Sequence, residues 1–278
     1  MIQDIFPHVF HNEFHERESL PGDFVAVFSG GKTYLSQGGT LPTAAEIKAL
    51  GVKEHELVYL FEIDQTAFFL LWTVPDAVKT TLVEQGTGIF RNMKPTYLAL
   101  AGSTALHLSA WYRSNRFCGR CGAAMERDKV ERAMRCPSCD QVVYPRINPA
   151  VLAAVRHRDK LLLTHYANRP NATRYALVAG FTEIGETLED TVRREVMEEV
   201  HLPIKNIRYH GSQPWGFAGN IMVGFWADLD SEDETVILDR SELDEGVWLS
   251  REEIPVDENP ASLTHTMIQL FRQGKDPK

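Results

Sequence analysis

Residues Gly180 to Leu202 read GFTEIGETLEDTVRREVMEEVHL. Thr187-x-x-Asp190 has the form of a box that caps the start of a helix. Nothing from there to Val200 breaks a helix, and Pro203 stops it. Leu188, Val192, Val196 and Val200 recur every fourth residue, an apolar row that faces a core. Glu195 and Glu199 also stand four apart and stack on one face, with Glu198 one turn from Glu195. Like charges at this spacing cost a helix roughly 0.2–0.5 kcal/mol per pair. Three carboxylates this close are a liability unless something positive sits among them. One reading is a solvated acidic face with Arg193 and Arg194 as neighbours. The other is a site for a hard divalent cation, which takes oxygen ligands.

The fixed positions favour the second reading. Gly180, Glu186, the pair Arg194-Glu195, Val196 and the pair Glu198-Glu199 keep the spacing of G-x5-E-x7-R-E-U-x-E-E-x-G-U, with U apolar. The stretch resembles the Nudix box at every specified position but one, His201, where the box has Gly. The resemblance implies a Nudix hydrolase, in which Glu195, Glu198 and Glu199 hold Mg2+ or Mn2+. The backbone carbonyl of Ala179 commonly joins them, and Arg194 orients a glutamate by ion pairing. The reaction it implies is hydrolysis of a nucleoside diphosphate linked to another moiety, with Glu199 the most rate-critical carboxylate. His201 falls where a left-handed residue closes the helix. Histidine is among the non-glycine residues enriched in that conformation, so a cost on the order of 1 kcal/mol with function kept is expected.

The 278 residues suggest more than one domain. Composition is ordinary, at 44% hydrophobic and 24% charged. A net charge of −9 argues against grip on nucleic acid by bulk charge, though not against local RNA contact. No apolar run reaches the roughly 20 residues that span a membrane, and no signal-peptide or peroxisomal pattern is present. A cytoplasmic protein is expected.

All four cysteines fall in one window as Cys118-x2-Cys121 and Cys136-x2-Cys139, each pair in a turn-forming context. This is close to zinc-ribbon spacing. Four cysteines leave no open position, so a structural zinc is expected. Reduced thiols or disulfides are the plainer reading, but disulfides are rare in the cytosol. Before the cysteines, strands are expected over 24–28, 33–35, 57–63 and 68–72, with helices over 43–50 and 103–114. After them, Ala150–Val155 is a continuous apolar run, and strands are expected over 160–163, 175–179, 207–209, 221–228, 236–238 and 247–249. A final helix spans 262–272. This order gives an α/β class with a mixed sheet flanked by helices. The domains are read as an N-terminal α+β domain over 1–115, a four-cysteine zinc ribbon over 116–145 and a catalytic domain over 146–278. The last agrees with the α/β/α sandwich of the Nudix fold.

Ser212 to Asn220 reads SQPWGFAGN. It resembles the SQPWPFPxS motif of NADH pyrophosphatases, Nudix enzymes that also carry an N-terminal domain, a zinc ribbon and a YPR segment, here Tyr144-Pro145-Arg146. The resemblance covers about residues 98 to 270. It implies cleavage of NAD(H) to AMP and nicotinamide mononucleotide, removal of NAD caps from RNA, and a homodimer. Gln213, Pro214, Trp215, Gly216, Phe217, Ala218, Gly219 and Asn220 then belong to a substrate site. Trp215 and Phe217 are suited to stacking on a base or on nicotinamide. Gly216 and Ala218 replace two prolines and Asn220 a serine, which predicts a looser loop. By the same resemblance Tyr144 and Thr264 contact substrate and Glu242 adds a metal ligand. ADP-ribose or another dinucleotide is the alternative substrate. A non-catalytic nucleotide- or RNA-binding module and a zinc-ribbon nucleic-acid factor are the alternatives of another kind.

Overall fold

The structure is a computed structural model and describes residues 1–167, 175–257 and 261–277. It contains two compact units. One comprises 2–146 with 215–219; the other comprises Met1, 147–214 and 220–278.

In the first unit, β1 (Phe10–His11), β2 (Phe24–Ala26), β3 (Phe28–Ser29) and β4 (Lys32–Leu35) precede α1 (Ala44–Ala49). Next come β5 (Leu57–Ile63), β6 (Thr66–Leu71), α2 (Asp76–Thr81), β7 (Val83–Gly86) and α3 (Thr96–Ser114). One sheet has the order β1-β5-β6-β2 and another β3-β4-β7. Val25, Ile47, Tyr59 and Phe69 belong to the core between α1 and the larger sheet. The helix expected from Ser103 begins at Thr96 instead. Gly102 sits within it because a Cβ there would lie 2.0 Å from the Phe90 ring.

The cysteine segment forms a small sheet of β8 (Glu126–Arg127), β9 (Met134–Arg135) and β10 (Val142–Val143), ordered β10-β9-β8. Its two turns are built alike. Gly122 N–H donates to Cys118 O, and Asp140 N–H donates to Cys136 O. Gly122 and Asp140 both take the left-handed conformation, at φ of +77° and +57°. Arg132 fastens this segment within the unit, donating to Asn12 Oδ1 at 2.8 Å and to the carbonyl of Leu60.

The second unit is built on β11 (Asn148–His157). It runs parallel to β15 (Asn220–Leu229) on one edge. On its other edge it pairs antiparallel with β13 (Val178–Phe181) and, at its end, with β12 (Lys160–Tyr166). β14 (Ile204–Trp215) and β16 (Leu243–Ser250) complete the order β14-β15-β11-β12-β16. Val151, Ala153 and Val155 face one core with α4 (Leu188–Val200). Leu152 and Ala154 face another with α5 (Leu263–Arg272). Coverage on both faces is why Ala150–Val155 is apolar without alternation. This is the α/β/α arrangement. Among the described residues no helix is long and apolar enough to cross a membrane.

Two expected strands in this unit differ. The 175–179 segment is bridged to Thr164 at Ala176 and becomes ladder only from Val178. Residues 236–238 are not a strand. Val236 and Leu238 pack on the α4 core and Ile237 is exposed, hence the strand-like alternation. Their backbone serves α4 instead. Ile237 and Asp239 N–H donate to the carbonyls of Val200 and Glu199, which lie at the helix end and lack intrahelical partners. Gly246 on β16 makes room for this segment, since a Cβ there would lie 2.8 Å from Leu238.

The carboxy-terminal residues are held by a charged cluster. Asp276 accepts from Arg156 at 2.7 Å and Arg251 at 2.8 Å, and Asp228 accepts from Arg156 at 2.6 Å. Burial alone would raise both carboxyls, but the guanidinium hydrogen bonds hold both below the usual aspartate range. A depressed folded pKa gives stability that is full above the unfolded value of about 3.9 and lost as pH falls through the folded one. Asp276→Asn is expected to cost about 1.5–3 kcal/mol at pH 7 in denaturant melts. That deficit should shrink below pH 4, where wild type loses the same contribution.

Candidate metal-dependent active site

Helix α4 carries the acidic face. Thr187 caps its start, with Oγ1 accepting from Asp190 N–H at 3.1 Å. The return bond comes from the Thr187 hydroxyl to Asp190 Oδ2 at 2.7 Å rather than from the Thr187 backbone, so the capping box is half-formed. His201 ends the helix at φ +55° and ψ +38°, and its N–H donates to Met197 O. The left-handed position expected for His201 is therefore present.

Arg194 is the hub of the site. Its Nε and Nη2 donate to the two Glu186 oxygens at 2.6 and 3.0 Å. Nη1 donates to Glu195 Oε1 at 2.8 Å and to Glu198 Oε2 at 2.9 Å. Nη2 also donates to the Phe181 carbonyl. Glu186 is fixed in turn by Glu183 N–H and the Thr191 hydroxyl. Chiefly through Arg194, its pKa falls to about 2. A bidentate pair of this kind sets direction as well as charge. Glu186 was legible only as a fixed position of the box; its task of aligning the arginine comes from the geometry.

Glu195 approaches the backbone where only glycine fits. A Cβ on Gly180 would lie 1.9 Å from the Glu195 carboxyl carbon. Burial raises the Glu195 pKa against the pull of Arg194. Gly180→Ala is expected to displace this carboxylate and lower turnover at least tenfold. The melting temperature should move by only a few degrees, since Gly180 has an ordinary strand conformation and pairs with Val151. Steady-state kinetics beside a thermal melt checks this.

Glu199 is 2% exposed, and neither carboxylate oxygen has a hydrogen-bond partner among the described residues. The Ala179 N–H lies close enough to favour the ionised form but does not complete a hydrogen bond. Desolvation, then the charges of Glu242 and Glu195, push this carboxyl up to about 8. A buried acid beside other acids and without a donor is costly. It is what a cation site leaves behind when the protein supplies only oxygens, so these residues fit a hard divalent metal. Glu242 is on an exposed turn that opens β16, where Glu242 N–H donates to Asp239 O. The 236–239 segment tied to the end of α4 steadies that turn.

The cysteines gather more tightly. Their four sulfurs lie within 4.8 Å of one another, with Cys118–Cys139 at 3.6 Å and Cys121–Cys136 at 3.5 Å. Tetrahedral zinc at about 2.3 Å from each sulfur sets sulfur–sulfur separations near 3.8 Å. The four side chains therefore fit one structural zinc. Among the described residues the glutamates do not form a set of that tightness.

The residues expected to meet substrate are spread over both units. In the first, the Tyr144 hydroxyl donates to Glu131 at 2.8 Å. Also there, the Trp215 and Phe217 rings lie 4.9 Å apart, tilted by 60°. The Arg91 guanidinium sits 5.5 Å from one ring centre and 5.1 Å from the other. No sequence signal marked Arg91, which is far from the motif in the chain. A Cβ at Gly216 would lie 2.1 Å from the Ser103 carbonyl, so the glycine permits close packing on α3 that proline would block. Ala218 N–H closes the turn onto Trp215 O. In the second unit, buried Gln213 donates to Ala261 O at 3.1 Å and accepts from Leu263 N–H at 2.7 Å, bracing the start of α5. Pro214 follows it on β14, Gly219 precedes β15, and Thr264 is half-buried on α5. Asn220 opens β15, with its buried Oδ1 accepting no hydrogen bond among the described residues.

The chain matches known families over both the cysteine segment and the second unit. Residues 146–271 match the NUDIX domain model and residues 113–144 the NADH pyrophosphatase zinc ribbon domain. Over 188 residues the chain is 38% identical to the NAD-capped RNA hydrolase NudC of Salmonella schwarzengrund (strain CVM19633), covering 68% of each. The chain belongs to the Nudix hydrolase family. A second relative of this Nudix hydrolase, the NAD-capped RNA hydrolase NudC of Enterobacter sp. (strain 638), is 41% identical over 170 residues. That match spans 61% of this chain and 64% of the relative's length. A solved NUDIX hydrolase from Nitrosomonas europaea aligns at TM-score 0.49 and 22% identity, covering 57% of this Nudix hydrolase and 91% of its own chain.

Proposed function

We propose that this Nudix hydrolase cleaves the pyrophosphate of NAD(H), giving AMP and nicotinamide mononucleotide, and removes NAD caps from RNA. The observation that carries the reading is Glu199, buried among other carboxylates without a donor, in a chain with the NADH pyrophosphatase zinc ribbon. The names of the relatives support NAD-linked substrates.

Glu195, Glu198 and Glu199 would hold Mg2+ or Mn2+, joined by Glu242 and the Ala179 carbonyl. The bound ion supplies polarisation of the phosphoryl oxygens and a lowered pKa for the attacking water. Arg194 aims Glu195 and Glu198, and Glu186 aims Arg194. Gly180 lets Glu195 reach the backbone. Glu199 provides two oxygens that no donor among the described residues occupies. Trp215 and Phe217 stack on a base or on nicotinamide, and Tyr144, Gln213, Asn220 and Thr264 line or brace the substrate. The family resemblance supports a homodimer in the cytoplasm.

The altered motif favours a second reading, ADP-ribose as substrate, because Gly216 and Ala218 replace prolines beside the stacking rings. Chromatography of products from NADH, NAD+, ADP-ribose and NAD-capped RNA, each with Mg2+, Mn2+ or chelator, tests both. Metal-dependent AMP plus nicotinamide mononucleotide is the expected result. Cleavage of ADP-ribose alone would move the substrate and keep the chemistry. Cleavage of none by folded, zinc-loaded protein would overturn the proposal.

A further inference from the structure

The first unit contains a cavity of about 340 Å³ whose walls include Phe28, Leu70, Trp72 and Tyr112, with Arg113 and Arg116 at its edge. Three of its lining residues are aromatic; Phe28 and Tyr112 are each 2% exposed, so half-buried Trp72, which meets Tyr112 edge to face at 5.8 Å, offers the accessible ring. A third arginine, Arg127, stands 5.6 Å from the Trp72 ring centre. Neither Arg113 nor Arg116 has an ion pair among the described residues, and no acid lines the cavity. Of the acids that the sequence places nearby, Asp128 pairs with Arg135 and Glu131 accepts from Tyr144, while Glu126 is exposed on β8 and does not line the cavity.

Arg113 lies in the last turn of α3, where a cation complements the helix dipole. That accounts for one charge and leaves Arg116, which lies beyond the helix end. Arg113 reaches the Phe28 carbonyl, so its guanidinium is held at the cavity edge. Partial burial, and then the like charge of Arg116, lower its pKa. Arg116, without a carboxylate partner among the described residues in a chain of net charge −9, is the cation left unmatched. Guanidinium groups suit phosphate, and aromatic walls suit a flat ring. The volume is at the lower end of the roughly 300–1,000 Å³ of small-molecule sites, which suits one nucleotide rather than two.

We propose that this cavity binds a nucleoside monophosphate unit, with the phosphate on Arg113 and Arg116 and the base against Trp72. The unit is either a free nucleotide or one residue of single-stranded RNA. The single phosphate held there predicts that log affinity for RNA falls with log salt at a slope of about −0.7 from this site. The binding step is independent of the hydrolytic reading above, and only the choice between the two sources uses it.

The test is calorimetry on the full zinc-loaded chain without added Mg2+ or Mn2+. The probes are 5′-uridylate, uridine, inorganic phosphate and an uncapped single-stranded RNA octamer. Uridylate and the octamer should bind, with uridine and phosphate at least tenfold weaker. Arg116→Glu, on an exposed side chain, should weaken uridylate and the octamer at least tenfold. Its turnover of NADH should stay within twofold of wild type, and far-ultraviolet circular dichroism should be unchanged. Trp72→Leu should weaken uridylate and leave phosphate unaffected, which separates stacking from charge. If Arg116→Glu also lowers kcat/KM for NAD-capped RNA at least fivefold, the occupant is an RNA residue. If capped RNA is processed as before while uridylate binding is lost, the occupant is a free nucleotide. No binding of uridylate or octamer by wild type, or equal binding by Arg116→Glu, would overturn the proposal.

Discussion

Glu199→Gln is expected to lower turnover at least 100-fold while the chain stays folded. A 100-fold loss is about 2.7 kcal/mol of barrier, within reach of one lost ligand charge. The substitution keeps the size of a side chain that is 2% exposed. With its carboxyl pushed up to about 8, metal-free Glu199 is mostly protonated at pH 7. Without divalent metal, the variant should therefore melt close to wild type at pH 7, and above it only at pH 9 and higher, where wild type would carry the charge that Glu242 and Glu195 oppose. With Mn2+, wild type should gain stability on titration and the variant much less. Kinetics and paired melts separate these outcomes. Wild-type turnover by the folded variant would remove Glu199 from the reaction.

Loss of the zinc ribbon should have the largest effect on stability. Cys136 is fully buried and its sulfur is 3.5 Å from that of Cys121. Cys136→Ser offers no soft thiolate and is expected to lose the metal. Structural zinc contributes on the order of 10 kcal/mol to folding such segments. Met134, 1% exposed, and the anchor from Arg132 to Asn12 tie the segment to its unit, so an early melting transition should appear. A chromophoric chelator under denaturing conditions should release one zinc per wild-type chain and none from the variant. A zinc-free variant that melts like wild type would show that the fold stands without the metal.

The parts that sequence made legible are those whose chemistry depends on spacing. Glu195 and Glu199 share a face because they are four apart, and the cysteines converge because two short turns repeat. The covered strand Ala150–Val155 was readable from its unbroken apolar run. What stayed hidden depends on distant chain segments. The alternation at 236–238 is the same whether the backbone bonds a neighbouring strand or the end of α4. Gly216 looks like a loosened proline until the Ser103 carbonyl is seen 2.1 Å from its missing Cβ. Short elements such as β1 and α2 carry too few residues for a period to show. Arg91 and the cavity at Trp72 arise from residues that no local pattern joins.

The tie between residues 236–239 and the end of α4 bears on how this site could be transplanted. A chimaera that takes only Gly180 to Leu202 from another chain would inherit the carboxylates without the carbonyl partners that close the helix, or the hollow at Gly246 that seats them. The exchangeable cassette is discontinuous: the helix, the irregular stretch from Val236 to Glu242, and the glycine of β16 travel together or not at all.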